Sequence, residues 1–103
     1  MNIAIFGAGQ YGIRLLYELL ARGIKPKYFI DNNPNKIGKK FYGVPCYPIA
    51  QIEKDEKIHV VIAQKLYKEA YEQINRMSVD NVAMKIEMDK LLLRVQPNKI
   101  PIE

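Results

Sequence analysis

The chain has 103 residues, of which 49% are apolar, and this suits one small domain with a single core. Its net charge of +5 arises between residues 22 and 40, and no helix-turn-helix, zinc-knuckle or RNP-like signature accompanies it, so we expect no nucleic-acid partner. No apolar stretch approaches the roughly 20 residues of a membrane span and no signal-peptide pattern is present, so we expect a cytoplasmic protein without membrane insertion.

The first predicted element is a buried strand, Ile3 to Phe6, whose continuous apolar run is typical of a central parallel strand. It leads into the glycine-rich hexapeptide 7–12 (GAGQYG), which opens an amphipathic helix from about Gln10 to Arg22. We expect one stripe of this helix to face the sheet, and it consists of Gly12, Leu16, Leu19 and Leu20.

The hexapeptide has the context that a nucleotide-binding glycine motif requires. A strand precedes it, a helix follows it, and an acid, Asp31, comes about 20 residues later. In such a motif Gly7 permits a tight turn, Gly9 lets backbone N–H groups approach a phosphate, and Gly12 allows close helix–strand packing. The free N–H groups and the positive dipole end of the helix favour an anion. The sequence therefore predicts a nucleotide phosphate site.

The second predicted strand, 27–31, ends in Asp31 and is followed by turn residues. Three bases come next, Lys36, Lys39 and Lys40, on the side where a ligand is expected. They either belong to a solvated loop or supply one or two contacts to a ligand phosphate or acidic sugar. The third strand, 44–47, is short, and because Pro45 has no N–H we expect it at an edge of the sheet.

The second half of the chain repeats the strand–helix–strand order. The predicted elements are a brief helical turn at 49–52, a central fourth strand at 59–63, an amphipathic helix at 66–77 with Ala70 and Ile74 inward, and a fifth strand at 82–86. We expect a single domain over residues 1–95, with 96–103 as a tail or linker.

This order predicts an α/β, Rossmann-like, three-layer fold around an open parallel sheet with strand order 3-2-1-4-5. A ligand should then bind at the carboxyl ends of strands one and four, where the chain reverses direction across the sheet. The predicted binding residues are Gly7, Ala8, Gly9, Gln10, Tyr11, Gly12, Asp31, Asn32, Gln64 and Lys65.

Groups for catalysis are few. The chain has one serine, one histidine (His59), one cysteine (Cys46) and no threonine. It lacks the GxSxG elbow, the P-loop motif and any zinc-ligand spacing. We therefore expect no catalytic residue, no metal site and no catalysis by this chain alone.

Three stretches, Ile5–Gly12, Phe29–Pro34 and Gly38–Pro45, resemble a small Rossmann-like domain of bacterial surface-polysaccharide biosynthesis. Similar domains are the N-terminal nucleotide-sugar-binding domain of sugar O-acetyltransferases, the dinucleotide-binding part of nucleotide-sugar epimerases and dehydratases, and the leading domain of some sugar methyltransferases. The resemblance covers residues 3 to about 74. It implies phosphate contacts at Gly9, Gln10 and Tyr11, and ribose or base contacts at Asp31 and Asn32.

Three hypotheses follow from the residues and the resemblance. The first is a binding module for NAD or a UDP-type nucleotide sugar in glycan biosynthesis, with chemistry supplied by a fused or partner catalytic domain. The second is a fragment of an NAD-dependent epimerase or dehydratase. The third is a ligand-free interaction domain that forms a homodimer or docks a partner through its sheet edge. For a bound nucleotide, Asp31 favours free ribose hydroxyls and therefore NAD over NADP.

Overall fold

The computed structural model describes residues 2–54, 58–64, 67–76 and 82–87, which form a single sheet with helices on both faces. In chain order the elements are β1 (Ile3–Phe6), α1 (Gln10–Ala21), β2 (Tyr28–Ile30), β3 (Lys40–Phe41), β4 (Val44–Tyr47), a 3-10 helix (Ile49–Lys54), β5 (Ile58–Ile62), α2 (Tyr67–Arg76) and β6 (Val82–Glu87). The predicted tail, 96–103, lies outside the described residues. No helix in the described ranges is long and apolar enough to cross a membrane.

The sheet confirms the predicted Rossmann-like α/β class. Its order is β3-β4-β2-β1-β5-β6, and all neighbours are parallel except β3 and β4. The five predicted strands thus follow the order 3-2-1-4-5, and the observed order differs from it by one short additional strand, β3. The carboxyl ends of β1 and β5 lie side by side, with Phe6 opposite Ile62.

The prediction that Pro45 places its strand at the edge was wrong, because β3 pairs with β4 on the outside. The two strands are joined by a two-residue turn in which Tyr42 and Gly43 have φ of 55° and 81°. The N–H of Cys46 donates to the Lys39 carbonyl at 2.9 Å, so the bond to the outer segment does not require the missing N–H of Pro45.

An aromatic contact supports this hairpin from the helix side. The Tyr17 hydroxyl on α1 donates to the Tyr42 hydroxyl at 2.6 Å, and the two rings meet edge to face with centroids 5.3 Å apart. A non-glycine residue at positive φ costs on the order of 1–3 kcal/mol, and the ring contact offsets part of this cost.

Two apolar layers cover the two faces of the sheet, because consecutive residues of a strand point to opposite sides. Ile3 and Ile5 pack with α1, whereas Ala4 and Phe6 pack on the face that carries Ala70 and Ile74 of α2. The inward stripe of α1 consists of Gly12, Leu15, Leu16 and Leu19. The prediction for Leu20 was wrong: its side chain is 42% exposed. Helical periodicity gives the inward position to Leu15, one turn before Leu19.

Candidate functional site

The connection from β1 to α1 depends on two glycines for packing, Gly7 in the loop and Gly12 in the first turn of α1. Gly7 has φ of 120°, and a Cβ there would lie 2.6 Å from the Ala63 carbonyl oxygen at the end of β5. A Cβ on Gly12 would collide with the carbonyl oxygen of Gly7. The Gly7 N–H donates to the Ile30 carbonyl at 2.7 Å. The absence of a side chain at Gly7 and Gly12 therefore lets the loop pack closely against the ends of three parallel strands.

Gly9 differs from the other two, since it is the N-cap residue of α1 and has room above it. The nearest atom to a Cβ on Gly9 is the flexible end of Lys36, with Nζ at 3.4 Å. No side chain caps the helix, and the first turn contains no acid. Because the first N–H groups of any helix lack an intrahelical acceptor, those of Gln10 and Tyr11 are available to an anion. The small size of Gly9 thus leaves space for a ligand.

Asp31 and Lys36 both bond to the loop residue Ala8. The Ala8 N–H donates to Oδ2 of Asp31 at 2.8 Å, and Nζ of Lys36 donates to the Ala8 carbonyl at 3.1 Å. The other carboxylate oxygen, Oδ1, accepts from the Asn33 N–H at 2.8 Å. Each carboxylate oxygen keeps a further lone pair for a ligand hydroxyl.

A cavity of about 270 Å³ lies at the carboxyl ends of β1, β2 and β5. Small-molecule sites usually span roughly 300–1,000 Å³, so this cavity is slightly smaller than a usual site. Its lining includes the two charged side chains that bond to Ala8 and the uncapped start of α1. It consists of Gly7, Gly9, Gln10, Tyr11, Asp31, Asn32, Lys36, Ala63 and Gln64.

Seven of the ten predicted site residues line this cavity, whereas Ala8 and Gly12 do not. Ala8 is buried behind it, 3% exposed, with its N–H bonded to Asp31. Gly12 is buried against the loop, and Lys65 lies outside the described residues. Gln64 also donates weakly, at 3.5 Å, to the Phe6 carbonyl.

Two lining residues, Lys36 and Ala63, are absent from the predicted set. Lys36 is one of the three bases that follow Asp31, and the other two, Lys39 and Lys40, are exposed and do not line the cavity. The turn after β2 explains why Lys36, and neither of the other two lysines, lines the cavity. The Lys36 N–H donates to the Asn33 carbonyl at 2.9 Å, so the chain folds back toward the glycine loop at this residue. In the sequence, the turn residues 32–35 were the signal that could have indicated this position of Lys36.

A reciprocal amide pair joins the cavity wall to α2. Nδ2 of Asn32 donates to Oε1 of Gln73 at 2.9 Å, and Nε2 of Gln73 donates to Oδ1 of Asn32 at 3.2 Å. The two residues are 41 positions apart, so sequence spacing gave no indication of this contact. It connects the segment after β2 with the helix after β5, across the carboxyl end of β1.

Cys46 lies in β4 opposite Phe29 of β2 and is fully buried. Burial, with a smaller contribution from the Asp31 carboxylate, raises the pKa of this thiol, and the Lys36 ammonium partly opposes the rise. Within the part of the chain that the structure describes, no three His, Cys, Asp or Glu side chains come together as a metal ion would require.

Comparison with models of known protein families matches residues 1–86 to the family described as the CoA binding domain. The matched range contains every residue that lines the cavity. No curated protein and no solved structure gives a match.

Proposed function

The chain belongs to the CoA-binding domain family, and from this membership we propose that it is a binding module for CoA or a closely related nucleotide diphosphate. One observation carries the proposal: the uncapped start of α1 and the Lys36 ammonium meet above Gly9 in one cavity. Such an arrangement suits an anion better than a neutral ligand, because it combines a helix dipole, free N–H groups and a cation.

The phosphate groups would lie over Gly9. The N–H groups of Gln10 and Tyr11 would donate to one phosphate, while Lys36, which uses one of its three N–H donors on Ala8, would contact it from the opposite side. The Asp31 charge is moderated because its two oxygens already accept backbone N–H groups. A diphosphate therefore meets a site whose net field is favourable.

The cavity is smaller than a whole CoA molecule needs. At about 270 Å³ it suits the diphosphate and the ribose next to it, and the remainder of the ligand would extend along the surface. The chain supplies binding and orientation in this proposal. Any reaction on the ligand would use groups from a fused or partner domain.

Asp31 favours a second candidate, NAD or a UDP-type nucleotide sugar in glycan biosynthesis. Its carboxylate follows β2 directly and keeps lone pairs for ribose hydroxyls, which these ligands offer unmodified. CoA instead has a phosphate on the 3′ hydroxyl of its ribose. The balance between Asp31 and Lys36 thus decides whether a phosphorylated or a free ribose binds better.

A thermal-shift panel with CoA, dephospho-CoA, NAD, NADP and UDP-glucose tests both candidates. A ligand at 100 times its Kd stabilises the fold by about 2.7 kcal/mol, which for a domain of this size raises the Tm by roughly 10 °C or more. We expect CoA and dephospho-CoA to give such shifts. Shifts with NAD or UDP-glucose alone would support the second candidate. A panel without any shift would reject nucleotide binding.

A further inference from the structure

Three exposed side chains on the outer face of α1 and on the β3–β4 turn form one cluster, the tyrosine surface, which consists of Tyr17, Leu20 and Tyr42. Tyr17 and Tyr42 are 51% and 65% exposed although their rings are in contact, and Leu20 follows Tyr17 by one helical turn. They are three of the five large apolar or aromatic side chains that are exposed in the described ranges. Scattered apolar side chains are normal on a protein surface, whereas a contiguous group of them marks a site of interaction.

Tyr42 occupies a backbone conformation that tyrosine rarely adopts. The two-residue turn has positive φ at both Tyr42 and Gly43, 55° and 81°, and such turns favour the pair Asn-Gly. The edge-to-face contact with Tyr17 offsets part of the strain, but most of the Tyr42 ring faces solvent, so burial does not compensate for the rest. Strained backbone that folding does not explain is typical of functional sites, and we therefore assign the Tyr42 ring a role in binding.

Two exposed bases flank the tyrosine surface on the side nearer the cavity. Arg14 lies one turn before Tyr17 on α1, whose first residues line the cavity. Lys39 is two residues before Phe41, whose side chain packs on the face that α1 covers, so the alternation of an extended chain places Lys39 on that face as well. A partner of the tyrosine surface therefore meets two positive charges beside the rings.

The acids of these two segments do not offset the positive charge. Glu18, the acid of α1, is bonded to Arg22 at 3.0 Å, and residues 39–44 contain no acid. We propose that the tyrosine surface docks an acidic segment of another protein, with a leucine or an aromatic side chain against the rings and carboxylates at Arg14 and Lys39. The inference does not depend on the proposed function, since no residue of the tyrosine surface lines the cavity.

Two other occupants fit the tyrosine surface less well. A second copy in a symmetric contact would gather four like charges in one interface, and the chain already has a net charge of +5. A nucleic acid would stack its bases on open ring faces, but Tyr17 and Tyr42 meet edge to face with their hydroxyls bonded at 2.6 Å. An acidic protein segment is the occupant that both the charge and the ring geometry favour.

The test selects peptides from a random display library on the immobilised full chain and measures the affinity of each enriched peptide by fluorescence anisotropy. We expect the enriched peptides to have a net negative charge and at least one leucine or aromatic residue, and to bind more weakly as the salt concentration increases. Tyr42→Asn removes the ring at a position where asparagine suits the backbone, so the fold should persist while affinity falls about tenfold. Arg14→Glu combined with Lys39→Glu should cause a loss of about tenfold or more, because both charges are reversed.

Matched control variants lie on the other side of the sheet. Tyr71→Gln replaces an exposed tyrosine of α2, and Lys54→Glu reverses an exposed charge of the 3-10 helix. Each should change the affinity for the selected peptides less than about twofold, because surface substitutions away from a contact have small effects. Circular dichroism melts of all the variants show whether a loss of affinity comes from the tyrosine surface or from a change of fold.

Several outcomes would overturn the inference: no enriched peptide, enriched peptides without an excess of acids, or acidic peptides whose affinity neither surface variant changes. Self-association that Tyr42→Asn abolishes would assign the tyrosine surface to a second copy, and binding of oligo(dT) that Tyr42→Asn abolishes would assign it to nucleic acid. The affinity for CoA should be the same in wild type and in the variants of the tyrosine surface, so the docking site and the proposed function stand or fail separately.

Discussion

Asp31 and Lys36 bond to the two backbone polar groups of the same residue, Ala8. The Asp31 carboxylate accepts from the Ala8 N–H at 2.8 Å, and the Lys36 ammonium donates to the Ala8 carbonyl at 3.1 Å. The turn after β2 and the glycine loop after β1 therefore form one structural unit. Since the loop begins the helix whose N–H groups face the cavity, changes in the turn should affect both folding and ligand affinity.

We first predict that Asp31→Ala lowers stability as well as affinity. The variant loses two hydrogen bonds to a charged group, for which we expect about 2 kcal/mol and a Tm lower by roughly 10 °C. Affinity for the preferred nucleotide should fall about tenfold or more. Asn33→Ala is the matched control, since it removes the bond from the Asn35 N–H at 2.9 Å in the same turn without touching the loop. Equal effects of the two substitutions would contradict the role of Asp31.

Two glycines should respond to substitution in opposite ways. The Cβ of Gly9→Val meets only the end of Lys36, so we expect a stability loss of about 1 kcal/mol together with loss of nucleotide binding. Gly12→Ala should unfold the domain or lower its Tm severely, because its Cβ collides with the Gly7 carbonyl. Circular dichroism melts and calorimetric titration measure both effects. Full nucleotide affinity in Gly9→Val would reject the phosphate site.

Lys36 should matter where its neighbours in sequence do not. We expect Lys36→Met to weaken binding of a diphosphate ligand about tenfold, as one charge-assisted contact is lost. Lys39→Met removes the same charge from an exposed position and should change affinity less than twofold at 150 mM salt, because screening weakens distant charges. Calorimetric titration of the two variants under the same conditions measures both affinities. Similar losses of affinity would show that the overall charge matters and that the position of Lys36 does not.

The buried thiol of Cys46 predicts a specific alkaline instability. The unfolded chain releases this proton near pH 8.5, whereas burial raises the pKa of Cys46 in the folded protein. The native state then binds more protons than the unfolded state, so stability is complete below about pH 8.5 and falls as the pH rises toward the folded pKa. Urea unfolding of wild type and Cys46→Ala between pH 8 and 9.5 should show a steeper decline for wild type. Parallel curves would contradict the prediction.

The fold could be predicted from the sequence because its main signals are local. A continuous apolar run, a glycine loop and a helical stripe predict β1 and α1, and the order of five strands follows from their alternation with helices. β3 was missed because two residues, Lys40 and Phe41, have no periodicity to detect. Leu20 was assigned inward because the width of an apolar stripe is not fixed by sequence alone.

The site could be predicted only in part, for a different physical reason. Gly9 and Asp31 belong to a residue spacing that is typical of nucleotide-binding loops, so they can be recognised from the sequence. The bond from Asp31 to Ala8 and the pairing of Asn32 with Gln73 depend on how turns bring distant segments together. No pattern of residue types encodes such contacts.

The β3–β4 hairpin also bears on how this protein behaves in concentrated solution. A long, flat strand at the margin of a sheet recruits strands from other molecules, which leads to aggregation. Here the margin beyond β4 is reduced to two residues, one of them the exposed Lys40. We infer that the strained Tyr42 turn, held by Tyr17, protects this side of the sheet from intermolecular strand addition.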